Sequence, residues 1–160
     1  MKLPDIRPSV IKQRFIKILI PDEIFNNYEY SVYVDCKRPV KVNFDCLLSC
    51  LEKESDLLTR PHKKRSCIYD EGLFCIKKRK GSKDVILKQL DSYKSQGYPK
   101  GNGLHASGLL LRRHTEEIKK FNTLWWLQVM EYSHRDQISL PYVAWKTDTK
   151  ISLMKRRCNK

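Results

Sequence analysis

Residues 121–146 read FNTLWWLQVMEYSHRDQISLPYVAWK. Phe121, Trp125, Val129 and Tyr132 fall at helical spacing, as do Leu124, Leu127 and Glu131, and Trp126 with Met130. The pattern is apolar on almost every side, which predicts a buried helix from about Thr115 to Tyr132 rather than a surface one. That helix runs into Arg135-Asp136-Gln137. Charges are costly in an interior unless they are paired or used, so the triplet at the carboxyl edge of a buried helix is the first place to look for chemistry. Glu131 lies four residues before Arg135, and an intrahelical pair would tie that arginine up.

Working outward, residues 29–35, EYSVYVD, alternate and are rich in β-branched and aromatic types, which predicts a strand ending at Asp35. Asn43 can cap a helix through Phe44, Leu47, Leu48 and Leu51. Residues 56–61, DLLTRP, form a short strand closed by Pro61, and 69–78 and 84–96 form two helices separated by Lys80-Gly81-Ser82, the second stopped by Gly97. Residues 106–112, ASGLLLR, read as a buried strand, with Thr115 as the N-cap of the long helix. A last short helix covers 139–145, where Pro141 is acceptable only near the start. Strands alternating with helices give an α/β fold with a mixed sheet. Ligands of open α/β sheets sit beyond the carboxyl ends of strands, which places Asp35 well for chemistry. No glycine-rich phosphate loop is present, against a dinucleotide or P-loop fold.

The chain has 160 residues, 41% of them apolar, enough for one domain with its own core. We assign residues 1–150 to that domain and 151–160 to a frayed basic tail. No run of apolar residues is long enough for a membrane span, and the amino-terminal stretch, an apolar patch broken by Lys17, lacks the shape of a signal peptide. The net charge of +14 suits an anionic partner: nucleic acid, the face of an anionic membrane, or a diphosphate. The basic residues are scattered and no recognition motif is visible, which argues against nucleic acid. The densest cluster, LFCIKKRKGSKD at 73–84, reads as a solvated turn between helices. Cys36, Cys46, Cys50, Cys67, Cys75 and Cys158 form no CxxC pair, and no histidine neighbours Cys46 and Cys50. They read as reduced, mostly buried thiols of a cytoplasmic protein.

The ordered set of strand-Asp35; His62, Arg65 to Glu71; Gln89, Tyr93, Gly97-Tyr98-Pro99; Gly103-Leu104; Arg112-Arg113-His114; Phe121, Trp125-Trp126; and Arg135-Asp136-Gln137 resembles a family of GT-A-type glycosyltransferases. That family was long catalogued as a domain of unknown function and occurs in plants, bacterial surface-polysaccharide loci and large viruses. The likeness runs from about Arg14 to Lys146. It implies a partial GT-A fold, because relatives begin with a further βα unit. A sheet without that unit exposes an edge, through which a homodimer is expected.

The resemblance also implies a nucleotide-sugar donor, a glycan acceptor and a divalent cation, Mn²⁺ or Mg²⁺. GT-A enzymes commonly carry Asp-x-Asp after this strand; here the residues are Asp35-Cys36-Lys37, so Asp35 is the one metal ligand and Lys37 can neutralise a phosphate as a point charge. Glycosyl transfer passes through an oxocarbenium-like state. The leaving diphosphate needs metal or cations, and an inverting enzyme needs a carboxylate to take the acceptor proton. Asp136 is the expected base. Arg135 would clamp the diphosphate or keep Asp136 ionised, and Gln137 would bond a sugar hydroxyl. His62, Arg65 and Glu71 form a second cluster for donor or acceptor, Arg112 and His114 follow the next strand, and Trp126 offers a stacking face. The competing readings are a structural Arg–Asp pair, tryptophans that only fill a core, an inactive relative, and a basic module binding nucleic acid or acidic polysaccharide.

Overall fold

The computed structural model describes residues 8–35, 43–155 and 158. The chain runs α1 (Pro8–Ile18), α2 (Asp22–Asn27), β1 (Tyr30–Val34), α3 (Phe44–Leu48), β2 (Leu57–Pro61), α4 (Ile68–Lys77), α5 (Lys83–Ser95), β3 (His105–Arg113), α6 (Glu116–Glu131), α7 (Asp136–Lys146) and β4 (Ile151–Leu153). The strands form one open sheet in the order β1-β3-β2-β4. β3 is antiparallel to β1 and β2, and β4 is parallel to β2, so the sheet is mixed as expected.

Both faces of the sheet are covered, which explains the unbroken Leu109-Leu110-Leu111 run in β3. Leu110 faces the larger core with Leu57, Ile68, Ile118, Phe121, Trp125 and Val143. Leu109 and Leu111 face a smaller core with Leu47, Leu58 and Met154. Local signals hold where they were clear. Asn43 caps α3 through a bond from the Cys46 amide, and Thr115 caps α6 through a bond from the Ile118 amide. Gly97 ends α5 at φ 86°, with amides of Gly97 and Tyr98 returning to Lys94 and Tyr93 carbonyls, a conformation glycine adopts at no side-chain cost.

Four expectations are corrected. The helix of 116–131 is amphipathic, not buried all round: Leu127 is 53% exposed while Ile118, Phe121, Trp125 and Val129 are buried. The more deeply buried helix is α7, where every residue from Ile138 to Ala144 is buried while Trp145 and Lys146 at its end are exposed. α7 also begins earlier than its apolar residues suggested, so Asp136 opens a helix rather than closing one, and Pro141 lies inside it. The Gln137 carbonyl then loses the amide that a residue at 141 would donate. The apolar patch before residue 20 is α1, hidden in the sequence because a lysine, Lys17, occupies its buried face at 1% exposure. Finally, Ile151–Leu153 pair with β2, and Cys158 is bonded to Cys46, with Cα atoms 5.6 Å apart. That bond closes a loop of 112 residues, worth about 4–5 kcal/mol on the chain-entropy account. The reading of all cysteines as reduced thiols does not hold, and with it goes the support for a cytoplasmic, reducing compartment; Cys50, Cys67 and Cys75 are free and buried.

Candidate functional site

The strand directions bring the carboxyl ends of β1 and β2 and the amino end of β3 to one end of the sheet. Asp35 follows β1 there, and its amide bonds the Gly108 carbonyl. His62 follows β2 and its amide bonds the Leu104 carbonyl. α7 starts at the same end, tied by Gln137 Nε2 donating to the His105 carbonyl at 3.1 Å.

Asp136 is the most heavily bonded carboxylate in this region. It is 3% exposed. Its Oδ2 lies 2.6 Å from Lys17 Nζ and accepts from Ser107 Oγ at 2.8 Å, and its Oδ1 lies 3.2 Å from Arg14 Nε. Lys17 also donates to Ser107 Oγ at 2.9 Å. Trp125 Nε1 donates to the Asp136 carbonyl at 3.1 Å, which pins the first turn of α7 to α6. Burial alone would raise the Asp136 pKa, but Lys17 and Arg14, with the bonds from Lys17 and Ser107, together hold it below the usual carboxylate range. Burial lowers the Lys17 pKa against the pull of Asp136 and Asp35. Two cations on one carboxylate at a helix amino terminus make the ionised pair the governing state.

Asp35 is half-buried and differently placed. Its Oδ1 accepts from Tyr33 OH at 3.0 Å and Gln13 Nε2 at 3.2 Å. Its Oδ2 sits 3.1 Å from where a Cβ on residue 108 would lie, so the glycine makes room for the carboxylate. Lys17 contacts Asp136 and is also attracted, at longer range, by the charge of Asp35. A groove of about 430 Å³ lies elsewhere, between α1, α2 and α6 beside Phe15, Phe25 and Asn122. Among the described residues no cluster of three or more His, Cys, Asp or Glu side chains is arranged for a metal. A divalent cation at this tip would find one hard-oxygen side chain, Asp35, whose Oδ1 already accepts from Tyr33 and Gln13.

The second cluster lies about 10 Å across the sheet, two strand spacings away. Glu71 is buried, its Oε2 is 2.5 Å from Arg65 Nε, and Cys75 Sγ donates to its Oε1. Arg65 stacks over Phe74 with Cζ 3.8 Å from the ring centre. His62 Nδ1 accepts the Arg65 amide at 3.0 Å, so the histidine shapes the turn that presents Arg65. His105, at the same end, has a buried Nδ1 without a partner among the described residues. Burial pushes its pKa down to about 4. A histidine protonated in the unfolded chain but neutral when folded costs stability between its two pKa values. The wild type should therefore lose about 3 kcal/mol from this group as pH falls from the usual 6.5 to about 4. Urea unfolding across that range should show His105→Asn with a flatter acid limb; parallel limbs would refute the assignment.

The remaining expected residues fall elsewhere. Arg112 is 2% exposed beneath α1, where Nη1 donates to the Ile18 carbonyl at 2.8 Å and Asn122 Oδ1 at 3.1 Å, and Nη2 to the Lys17 carbonyl at 3.0 Å. It clamps the carboxyl end of α1 and also lines a small groove of about 190 Å³ beside Ile20, Ser31 and Tyr33. His114 stacks on Phe25 and contacts the Tyr28 carbonyl at the opposite end of the sheet. Six residues of strand separate it from Gly108, about 20 Å. Trp126 packs edge-on against Phe15 at 5.4 Å. Arg135 turns toward Cys75 and Gly81, and the cations acting on Asp136 are Lys17 and Arg14 instead. Glu131 ends α6 and Arg135 stands just before α7, so the two share no helix in which to pair. Lys37 lies outside the described residues.

Gln13, Arg14, Lys17, Tyr33 and Ser107 had not been singled out. The signal was available for two of them: a lysine inside an apolar patch, with an arginine one turn earlier, is the mark of a helix that carries cations inward. An open mixed sheet with a carboxylate at the tip of its first strand, and with cations and a second carboxylate gathered at the same end, has the layout of a partial GT-A-like domain. The chain belongs to the TOD1/MUCI70, glycosyltransferase-like domain family, whose family model matches residues 12–159. Comparison with curated proteins and with solved structures gave no match. No helix among the described residues is long and apolar enough to cross a membrane.

Proposed function

We propose that this glycosyltransferase-like chain moves a hexosyl or deoxyhexosyl unit from a nucleotide-sugar donor to a hydroxyl of a glycan acceptor, in the synthesis of a surface polysaccharide. The reading rests on one observation above the others: Asp35 and Asp136 stand at the same end of the sheet, Asp35 against Gly108 and Asp136 bonded to Ser107. The donor diphosphate is assigned to the Asp35 tip. A divalent cation held there by Asp35 would supply charge neutralisation for the leaving diphosphate. Tyr33 and Gln13 fix the Asp35 carboxylate, and Gly108, with no side chain, makes room for its second oxygen. Arg65, supported by Glu71 and His62, is assigned to donor or acceptor oxygens. Gln137 bonds the His105 carbonyl and steadies the start of α7.

Asp136 is assigned as the anchor of Lys17 and Arg14. A carboxylate held below its usual range by two cations is a weak proton acceptor, and efficient general bases titrate near the working pH. The base role expected of Asp136 therefore fits its surroundings less well than the anchoring role. The test is release of nucleoside diphosphate from a panel of UDP-, GDP- and TDP-sugars with Mn²⁺ or Mg²⁺. At least one donor should turn over, and Asp35→Asn should cut the rate about a hundredfold without altering the melting curve. Equal rates for wild type and variant would reject the Asp35 assignment. Flat rates and flat thermal shifts with every donor would leave the inactive-relative reading in its place.

A further inference from the structure

Three sulfurs meet on the far face of the sheet, in the smaller core. Cys46 and Cys158 are bonded, and the free thiol of Cys50 lies with its Sγ 3.5 Å from Cys158 Sγ. Cys46 lies in α3 and Cys50 just past its end, four residues on, one helical turn apart on the same side. Cys50 and Cys158 are each 5% exposed, whereas Cys46 is half-buried. Cys67 and Cys75 pack elsewhere, in or beside the larger core.

We propose that Cys46, Cys50 and Cys158 form an internal thiol–disulfide exchange site in which Cys158 bonds either partner. The Cys50 thiolate attacks Cys158 Sγ, the Cys50–Cys158 bond forms, and the Cys158–Cys46 bond breaks. Cys46 leaves as a thiolate and takes up the proton that Cys50 gave away. One disulfide is present before and after, so no oxidant or reductant is consumed. The contact distance between Cys50 and Cys158 needs little side-chain movement, and the attacked sulfur is the one shared by both states. The exchange moves the tether of the carboxyl-terminal segment from inside α3 to just beyond its end, and leaves the free thiol at Cys46, the more accessible of the pair. The free Cys46 thiol can then attack a small disulfide such as oxidised glutathione, forming a mixed disulfide and releasing the small thiol, while the tether stays closed in the core.

The test needs no substrate. Trypsin cuts after Lys41 and Lys53 and after Arg157, so Cys46 and Cys50 share the peptide 42–53 and Cys158 lies in 158–160. The full chain is equilibrated in a glutathione redox buffer, quenched with acid, alkylated with N-ethylmaleimide and digested. Fragment ions of the cross-linked pair should reveal both Cys46–Cys158 and Cys50–Cys158 linkages. In Cys46→Ala, Cys158 should remain cross-linked to 42–53 in most molecules, and in Cys46→Ala/Cys50→Ala it should be alkylated. A wild type that shows only the Cys46 linkage at every time point overturns the proposal. So does a Cys46→Ala protein whose Cys158 is alkylated or is linked to Cys36 in peptide 18–37. The wild-type measurement stands even if the variant fails to fold.

Discussion

Asp136→Asn should lower the free energy of unfolding by about 3–5 kcal/mol near neutral pH, the range seen when one partner of a buried ion pair is removed. The asparagine keeps an acceptor for Ser107 but leaves Lys17, 1% exposed, and Arg14 without their counter-charge. For a domain of this size the loss corresponds to a fall in melting temperature of about 10 °C. The pH dependence has a definite sign. The folded pKa of Asp136 lies below the unfolded value of 3.8, so its stabilisation is complete above that value and disappears as pH falls through the lower folded pKa. Wild type and variant should therefore differ near neutrality and converge in strong acid. Adding Lys17→Met to the variant should recover part of the loss, because the uncompensated charge goes with it. Asp136→Asn with wild-type stability and no transferase activity would instead restore Asp136 to the role of base.

Arg112→Met should cost about 2–4 kcal/mol. The guanidinium donates to two main-chain carbonyls at the end of α1 and to Asn122, bonds to a charged donor that are worth about 1.5–3 kcal/mol each. Burial pulls its pKa to about 10, which still leaves it a cation near neutrality, and the relief of burying that charge offsets part of the loss. Its counter-charge is the negative end of the α1 dipole. The variant should also speed hydrogen exchange along residues 8–18, since α1 is held at that end by the clamp. Arg112→Lys should fall between the two, lacking the fork that reaches two carbonyls at once. A variant that unfolds like the wild type while losing donor binding would show that Arg112 serves ligand rather than helix.

The elements were legible where one physical signal dominated. Strand β1 announced itself by alternation, β3 by its leucine run, and α3 and α6 by their caps. The errors arose where a buried polar residue broke the expected pattern. Lys17 concealed α1, because a lysine on an apolar face reads as an interruption until its carboxylate partner, 119 residues later, is known. The same long-range pair explains why Arg135 looked like the partner of Asp136: adjacency in sequence favoured it, but the turn into α7 sends the two side chains apart. Arg112 and His114 stood together at a strand end, and only the antiparallel direction of β3 reveals that this end lies opposite Asp35. The position of Asp35 at the end of β1 was legible because a strand tip is a local feature. The Cys46–Cys158 pairing had no local signature at all.

The donor is expected at the Asp35 end of the sheet, and not at the His114 end. Amide shifts of isotope-labelled protein titrated with UDP or GDP in the presence of Mg²⁺ test it directly. Shifts concentrated at Gln13, Tyr33, Asp35, Ser107 and Gly108 are the predicted result. Shifts confined to Tyr28, His114 and Phe25, with the Asp35 end unmoved, would contradict it.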